Sequence, residues 1–239
     1  MKNFITTNHS FDDEQADVCN TEGRCVQIKK TRNLIIWLGV GMIVLTYLLL
    51  VLGANQIKTL HSQVTPSVSL YSNPLSLEDK FPLLNDDKSA TTLAEVANNK
   101  WTILYFGYTS CPDVYPKGLN ILDQTINMMR SAERLNVVFI SVDPENDIGQ
   151  LTDFTKQFNP NFVGLSANES VLTEMSKNLG LYREISKIKQ RSQSQDSQIE
   201  RANSYLLLSP ELELTGLLEA PHDVVKMAKS LDLIIQTLD

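Results

Sequence analysis

The hydrophobic pattern has one dominant feature near the start of the chain, an uncharged apolar run at residues 34–53. At a helical rise of 1.5 Å per residue, a run of this length extends over about 30 Å, which is the thickness of the hydrocarbon core of a bilayer. It exceeds the apolar segment of a signal peptide, and no A-x-A-like cleavage site follows it. We therefore predict a single, retained transmembrane helix at residues 34–53.

The charges on either side of this run predict its orientation. Lys29, Lys30 and Arg32 precede it, whereas Lys58 is the only basic residue close behind it. Because cytoplasmic flanks are enriched in basic residues, residues 1–33 are predicted to form a cytoplasmic tail and the larger part of the chain to lie on the opposite side of the membrane.

After the predicted span, the pattern changes to polar residues interrupted by prolines. Pro66 and Pro74 lie within residues 54–80, and such a composition is typical of an extended spacer. We therefore expect a spacer at 54–80 and one folded domain at 81–239.

Within the domain, short apolar runs alternate with helical periodicity. Strands are predicted at 101–108, 135–142, 162–165, 205–208 and 212–218, and helices at 116–129, 148–158, 169–179 and 223–238. Alternating strands and helices indicate a parallel sheet with right-handed crossovers. Together with the last hairpin and helix, they predict an α/β, thioredoxin-like fold with a mixed sheet flanked by helices. The polar residues 185–200 are predicted to form a mobile surface loop.

Composition narrows the class of function. The chain has 21 basic and 28 acidic residues and a formal net charge of -7, so a nucleic acid is not an expected partner. Its three cysteines, Cys19, Cys25 and Cys111, cannot supply a disulfide framework. We assign Cys19 and Cys25 no function and expect free, reduced thiols in the tail.

Cys111 is the first candidate for chemistry. It follows the predicted strand at 101–108 and precedes the helix that Pro116 opens. The free N–H groups at a helix start stabilise a thiolate, so a reactive thiol is one interpretation. A buried, inert cysteine is the other, and the flanking residues do not decide between them.

Several motifs together resemble the Sco/SenC family. TSCPDVYP at residues 109–116 is similar to the family motif in which two cysteines three residues apart are followed by proline. FISVDP at 139–144, Phe154 and FNPNFVGL at 158–165 follow in the family's register, and the resemblance covers about 82–238. A series of matches across a whole domain is more specific than one C-P pair.

The resemblance implies a fold, a location and a metal. Members of that family resemble thioredoxin, are tethered to the bacterial or mitochondrial inner membrane, and deliver copper during cytochrome c oxidase assembly. Their metal is held by the two motif cysteines and a distal histidine. The matching positions here are Cys111, Tyr115 and about Arg201, so one ligand of three is retained.

The two replacements argue against copper binding. Cu(I) is soft and prefers sulfur donors, whereas the phenol of Tyr115 is hard and ordinarily protonated near neutral pH. Arg201 has no lone pair to donate. Cys111 also lacks an internal disulfide partner, so it could form only a mixed disulfide with another protein, which excludes a self-contained dithiol reductase.

Other residues offer weaker alternatives. We expect His222 to cap a surface turn, Met129 to belong to the core and Asp143 to form a turn before Pro144, rather than to bind metal. Met128 is a further soft donor.

These observations predict a non-enzymatic, membrane-anchored accessory protein of cytochrome c oxidase assembly or copper delivery, with a periplasmic domain and impaired copper binding. The expected partners are an oxidase subunit or another copper or thiol assembly protein. The alternative is a single-cysteine thiol oxidoreductase or peroxidase in which Cys111 attacks and an outside thiol resolves the product. A third hypothesis keeps copper with unfamiliar ligands.

Overall fold

The computed structural model describes residues 18–19, 25–26, 28–65, 67–77, 81–194 and 204–238. The chain divides into two compact units, Met1–Ile57 and Lys58–Asp239. In the first, two short strands, β1 (Val18–Cys19) and β2 (Cys25–Val26), pair antiparallel.

One long helix, α1 (Ile28–Val64), follows these strands. Its segment Ile35–Gly53 has a mean hydropathy of 2.6 and is long and apolar enough to cross a membrane. Over the parts of the chain that the structure describes, it is the one helix with this property. The candidate span agrees to within one residue with the run read from the sequence.

The second unit is built on a six-stranded mixed sheet with the order β3-β10-β9-β6-β7-β8. Its elements, in chain order, are β3 (Ser69–Ser76), β4 (Leu83–Leu84), β5 (Ala90–Thr91), α2 (Leu93–Ala97), β6 (Trp101–Gly107), α3 (Val114–Met128), a 3-10 turn (Ala132–Arg134), β7 (Leu135–Ser141), α4 (Pro144–Asp147), α5 (Leu151–Lys156), β8 (Val163–Leu165), α6 (Glu169–Asn178), α7 (Tyr182–Ser194), β9 (Tyr205–Leu208), β10 (Glu213–Leu218) and α8 (Val224–Leu238).

The centre of the sheet is parallel, as the alternating pattern predicted. β6 pairs with β7 and β7 with β8 in parallel, while β9 and β10 add antiparallel strands. Every residue of β6 is buried, which explains its continuous apolar sequence, because helices cover both faces of a parallel sheet. The pairing of Gly107 with Ser141 makes β6 and β7 end at the same level.

The predicted helix at 148–158 is shorter in the structure, where α5 covers Leu151–Lys156 and a separate helix, α4, precedes it. α4 and α5 are separate short helices, and Gly149 between them has a φ of +98°. That conformation favours glycine and ends a helix, which explains the break. The carboxylate of Asp86 accepts N–H bonds from Gly149, Leu151 and Thr152 and so caps the start of α5.

The expected spacer at 54–80 needs correction. Residues 69–76 form β3, which pairs antiparallel with β10 at the edge of the sheet, and Leu77 behind it is 2% exposed. Pro74 did not exclude a strand, because an edge strand tolerates a missing N–H group. Residues 78–80 lie outside the described part of the chain.

The mobile loop predicted at 185–200 is wrong over 185–194. These residues belong to α7, and Ile185 and Ile188 on that helix are 7% and 4% exposed. Lys189 also pairs with Glu169 of α6, with 2.5 Å between Nζ and Oε1. Residues 195–200 lie outside the described residues.

Candidate functional site

The candidate site lies where β6 and β7 end together. The chain leaves β6 at Gly107 and passes through a loop that contains Cys111, and α3 then starts at Val114. Cys111 carries a free thiol and is 6% exposed. The structure thus places the thiol in the buried environment that the sequence left as one of two alternatives.

Tyr115, which the resemblance matches to the family's second motif cysteine, lies in the core at 2% exposure. Its ring packs edge-on against Tyr108, Tyr105 and Phe139, with ring centroids 5.0, 5.7 and 6.2 Å away. The ring also lies against the backbone of Gly107, since a Cβ atom added at residue 107 would be 2.6 Å from Cδ1 of Tyr115. An aromatic side chain in close contact therefore fills this position.

Two neighbouring tyrosines of the sheet form hydrogen bonds to the start of α3. The hydroxyl of Tyr105 donates to the carbonyl of Val114 at 3.4 Å. The hydroxyl of Tyr205 donates to the carbonyl of Gly118 at 3.0 Å. Burial raises the pKa of Tyr105 well above its ordinary value, and the neighbouring Tyr205 and Tyr115 raise it further. Burial also raises the pKa of Tyr205. Both phenols therefore remain protonated.

A buried carboxylate also contacts the loop between β6 and α3. Asp147, at the end of α4, is 0% exposed. It accepts the N–H of Thr109 at 3.0 Å, the hydroxyl of Thr109 at 2.6 Å and the hydroxyl of Ser141 at 2.6 Å. Burial raises the pKa of Asp147, although the bonds from Ser141 and Thr109 lower it in part. Sequence reasoning missed this residue, and its only signal was an acidic side chain four residues after a strand-ending Asp-Pro.

Asp143 has a local structural role. It is 8% exposed, precedes α4, and its carboxylate accepts both contacts from the amide of Asn146, at 3.0 and 3.1 Å. This arrangement agrees with the turn predicted for Asp143.

The remaining soft or basic candidates are His222, Met129 and Met128. His222 lies just before α8 and stacks on Tyr205, with ring centroids 4.3 Å apart and 22° between the planes. Met129 is buried at 8% exposure, as its stripe predicted, and Met128 is 58% exposed. Within the described residues, no group of three or more His, Cys, Asp and Glu side chains is placed to hold a metal ion.

Two sequence predictions cannot be followed at the level of side chains. Arg201, near which the distal histidine position is predicted, lies outside the described residues. For Cys19 and Cys25 the structure gives the backbone register alone, in which they are opposite each other in the β1–β2 pair.

Known proteins are similar to this chain in fold and in part of its sequence. The SCO1/SenC family model matches residues 71–236. The chain is 32% identical over 147 residues to the mitochondrial protein SCO1 homolog 1 of Arabidopsis thaliana, with 60% of this chain and 42% of that protein covered. The chain spans less than two thirds of the length of this and the next curated relatives that it matches.

Solved structures agree with the fold. Copper-bound ScoI of Arabidopsis thaliana is 26% identical, with a TM-score of 0.51 over 69% of this chain and 97% of that one. BsSco, described as a member of the Sco family of cytochrome c oxidase assembly proteins, is 19% identical with a TM-score of 0.53 over 70% and 98% of the two chains, and supports the fold alone. The predicted thioredoxin-like fold is thus confirmed, and the chain belongs to the SCO1/SenC family.

Proposed function

We propose that this chain is a membrane-anchored accessory protein of cytochrome c oxidase assembly or copper delivery, and that its own copper binding is impaired. Family membership supports the assembly role, since relatives are named as Sco proteins and one is solved with copper bound. The packing of Tyr115 carries the second half of the proposal.

The residues around Cys111 do not fit a Cu(I) site. Two-coordinate or three-coordinate Cu(I) needs soft donors that converge on the metal. Cys111 supplies one sulfur, but the next family position is held by a tyrosine at 2% exposure, with its ring against Gly107. Moving this ring aside to admit a metal would expose apolar surface and break aromatic contacts worth about 0.5–1.5 kcal/mol each. We therefore derive no step that passes through bound copper.

A protein of this kind acts by binding a partner, either an oxidase subunit or another copper or thiol assembly protein. Cys111 is the single cysteine of the domain, so it cannot close a disulfide within the domain. The single-cysteine enzyme stays a prediction, and peroxide turnover that disappears in Cys111→Ser would support it.

Restoring the missing donor tests the proposal. Tyr115→Cys places a second thiol four residues after Cys111, in the first turn of α3, so the full-length chain should gain Cu(I) in competition with a chromogenic chelator. The background carries Cys19→Ser and Cys25→Ser so that only the domain is measured. The exchange should also cost about 2–4 kcal/mol of stability through the cavity that it leaves. No gain in a folded Tyr115→Cys variant would contradict the assignment of this position.

The anchor is part of the proposal. An apolar segment of α1 that follows Lys29, Lys30 and Arg32 supports a single span with a cytoplasmic tail. In a Cys111→Ser background, an impermeant maleimide should label Cys19 and Cys25 only after spheroplasts are permeabilised. Ser170→Cys, on an exposed position of α6, should label in intact spheroplasts. Labelling of the tail cysteines from outside would contradict this topology.

A further inference from the structure

The proposed loss of copper binding does not explain why the carboxylate of Asp147 is buried. Asp147 is 0% exposed, and its carboxylate hydrogen-bond partners among the described residues, Thr109 and Ser141, are neutral. An ionised carboxylate in such a place is costly unless its hydrogen bonds replace those lost from water. The protein thus keeps a carboxylate whose burial is energetically unfavourable, at the point where β6 and β7 end.

The bonds of Asp147 join three segments. Ser141 ends β7, Thr109 starts the loop after β6, and Asp147 ends α4. The N–H of Asp147 donates to the carbonyl of Asp143 at 3.0 Å, and the N–H of Asp143 donates to the hydroxyl of Ser141 at 3.0 Å. The carboxylate is therefore fixed from its own helix as well as from the two strand ends.

Thr109 is the member of this network that is nearest to Cys111 in the sequence. It stands two residues before Cys111, and both its N–H and its hydroxyl donate to the same carboxylate. Two bonds to one charged group hold a residue in position and orientation, and bonds to a charged acceptor are stronger than neutral ones. The loop start is thereby fixed, and Cys111 behind it is 6% exposed.

We propose that Asp147 is a positioning residue that holds the Cys111 loop closed, and that its bonds to Thr109 set how often the thiol becomes accessible to a reagent or a partner thiol. This role goes beyond the proposed function, because it applies whether or not the domain binds copper. In this proposal, a residue of α4 controls the accessibility of a thiol in the loop between β6 and α3.

The test measures the rate of Cys111 alkylation by iodoacetamide in the full-length chain with Cys19→Ser and Cys25→Ser. Asp147→Ala should raise the rate roughly tenfold or more, because the loop loses both bonds to a charged acceptor. Thr109→Val removes the hydroxyl bond alone and should give a smaller increase. Asp147→Asn, which keeps an acceptor oxygen, should lie between the parent chain and Asp147→Ala.

A matched control is available in the same domain. Asp232 accepts the N–H of Arg130 at 3.1 Å, and the N–H and hydroxyl of Ser131 at 3.0 and 2.6 Å. This network resembles that of Asp147 but holds the end of α3 instead of its start. Asp232→Ala should therefore leave the alkylation rate within about twofold of the parent chain at equal folded fraction.

Urea separates local from global opening. If the loop opens locally, the alkylation rate of Asp147→Ala should change little at low urea, because local opening exposes little surface. Equal rates in Asp147→Ala and Asp232→Ala, or a rate that follows global unfolding, would overturn the proposal. If Asp147→Ala does not fold, Thr109→Val decides, and an unchanged rate in that variant also overturns it.

Discussion

At the scale of single residues, the contact between Gly107 and Tyr115 gives a direct test of the site's packing. A Cβ at residue 107 would lie 2.6 Å from the ring of Tyr115 and 2.8 Å from that of Phe139. Overpacking of this kind typically costs about 1–3 kcal/mol. We expect Gly107→Ala to lower the free energy of unfolding by that amount in the parent chain, and by less when Tyr115 is replaced by Cys.

Urea unfolding measures this double-mutant cycle. Trp101 is 2% exposed and reports on the domain once Trp37 in the candidate span is changed to Phe. Relief should be partial, since Phe139 remains in place. An equal cost of Gly107→Ala in both backgrounds would show that the Tyr115 ring does not lie against residue 107.

The same residues show what the sequence could reveal about the site. The motif spacing predicts that Tyr115 replaces a sulfur donor, because spacing along the chain is a local property. Its burial was not predictable, because its neighbours Tyr105 and Phe139 come from two different strands. Asp147 was missed for the same reason, since its bonds reach back to Thr109 from a separate helix.

At the scale of elements, α7 marks where periodicity was too weak to predict structure. Its two buried side chains, Ile185 and Ile188, are surrounded in sequence by polar and charged residues. By contrast, β6 and β7 were predictable, because strands covered on both faces have almost continuous apolar sequences. Edge strand β3 was missed because its residues are mostly exposed and include Pro74.

A substitution in α7 tests whether this helix stabilises the domain. Ile188→Ala should lower the free energy of unfolding by about 2–4 kcal/mol, because it removes buried methyl groups. Lys187→Ala on an exposed position of the same helix should change it by less than about 0.5 kcal/mol. Equal small effects in urea unfolding would contradict the packing of α7 on the domain.

At the scale of the whole molecule, the chain keeps the fold of the SCO1/SenC family, and we propose that it has fewer copper donors. The family match covers residues 71–236, which includes the sheet strands and most of α8. Tyr115 makes aromatic contacts in the core at the position where the family resemblance predicts a second cysteine. Our proposal requires that the scaffold stays stable after the chemistry at the ends of β6 and β7 has changed.

The most direct test is the amount of Cu(I) that the full-length chain binds with Cys19 and Cys25 replaced by serine. Competition with a chromogenic chelator gives the stoichiometry and affinity. Our account predicts far less than one Cu(I) per chain, with no difference between this protein and its Cys111→Ser variant. Binding of one Cu(I) per chain with a sub-micromolar Kd, lost in Cys111→Ser, would contradict it.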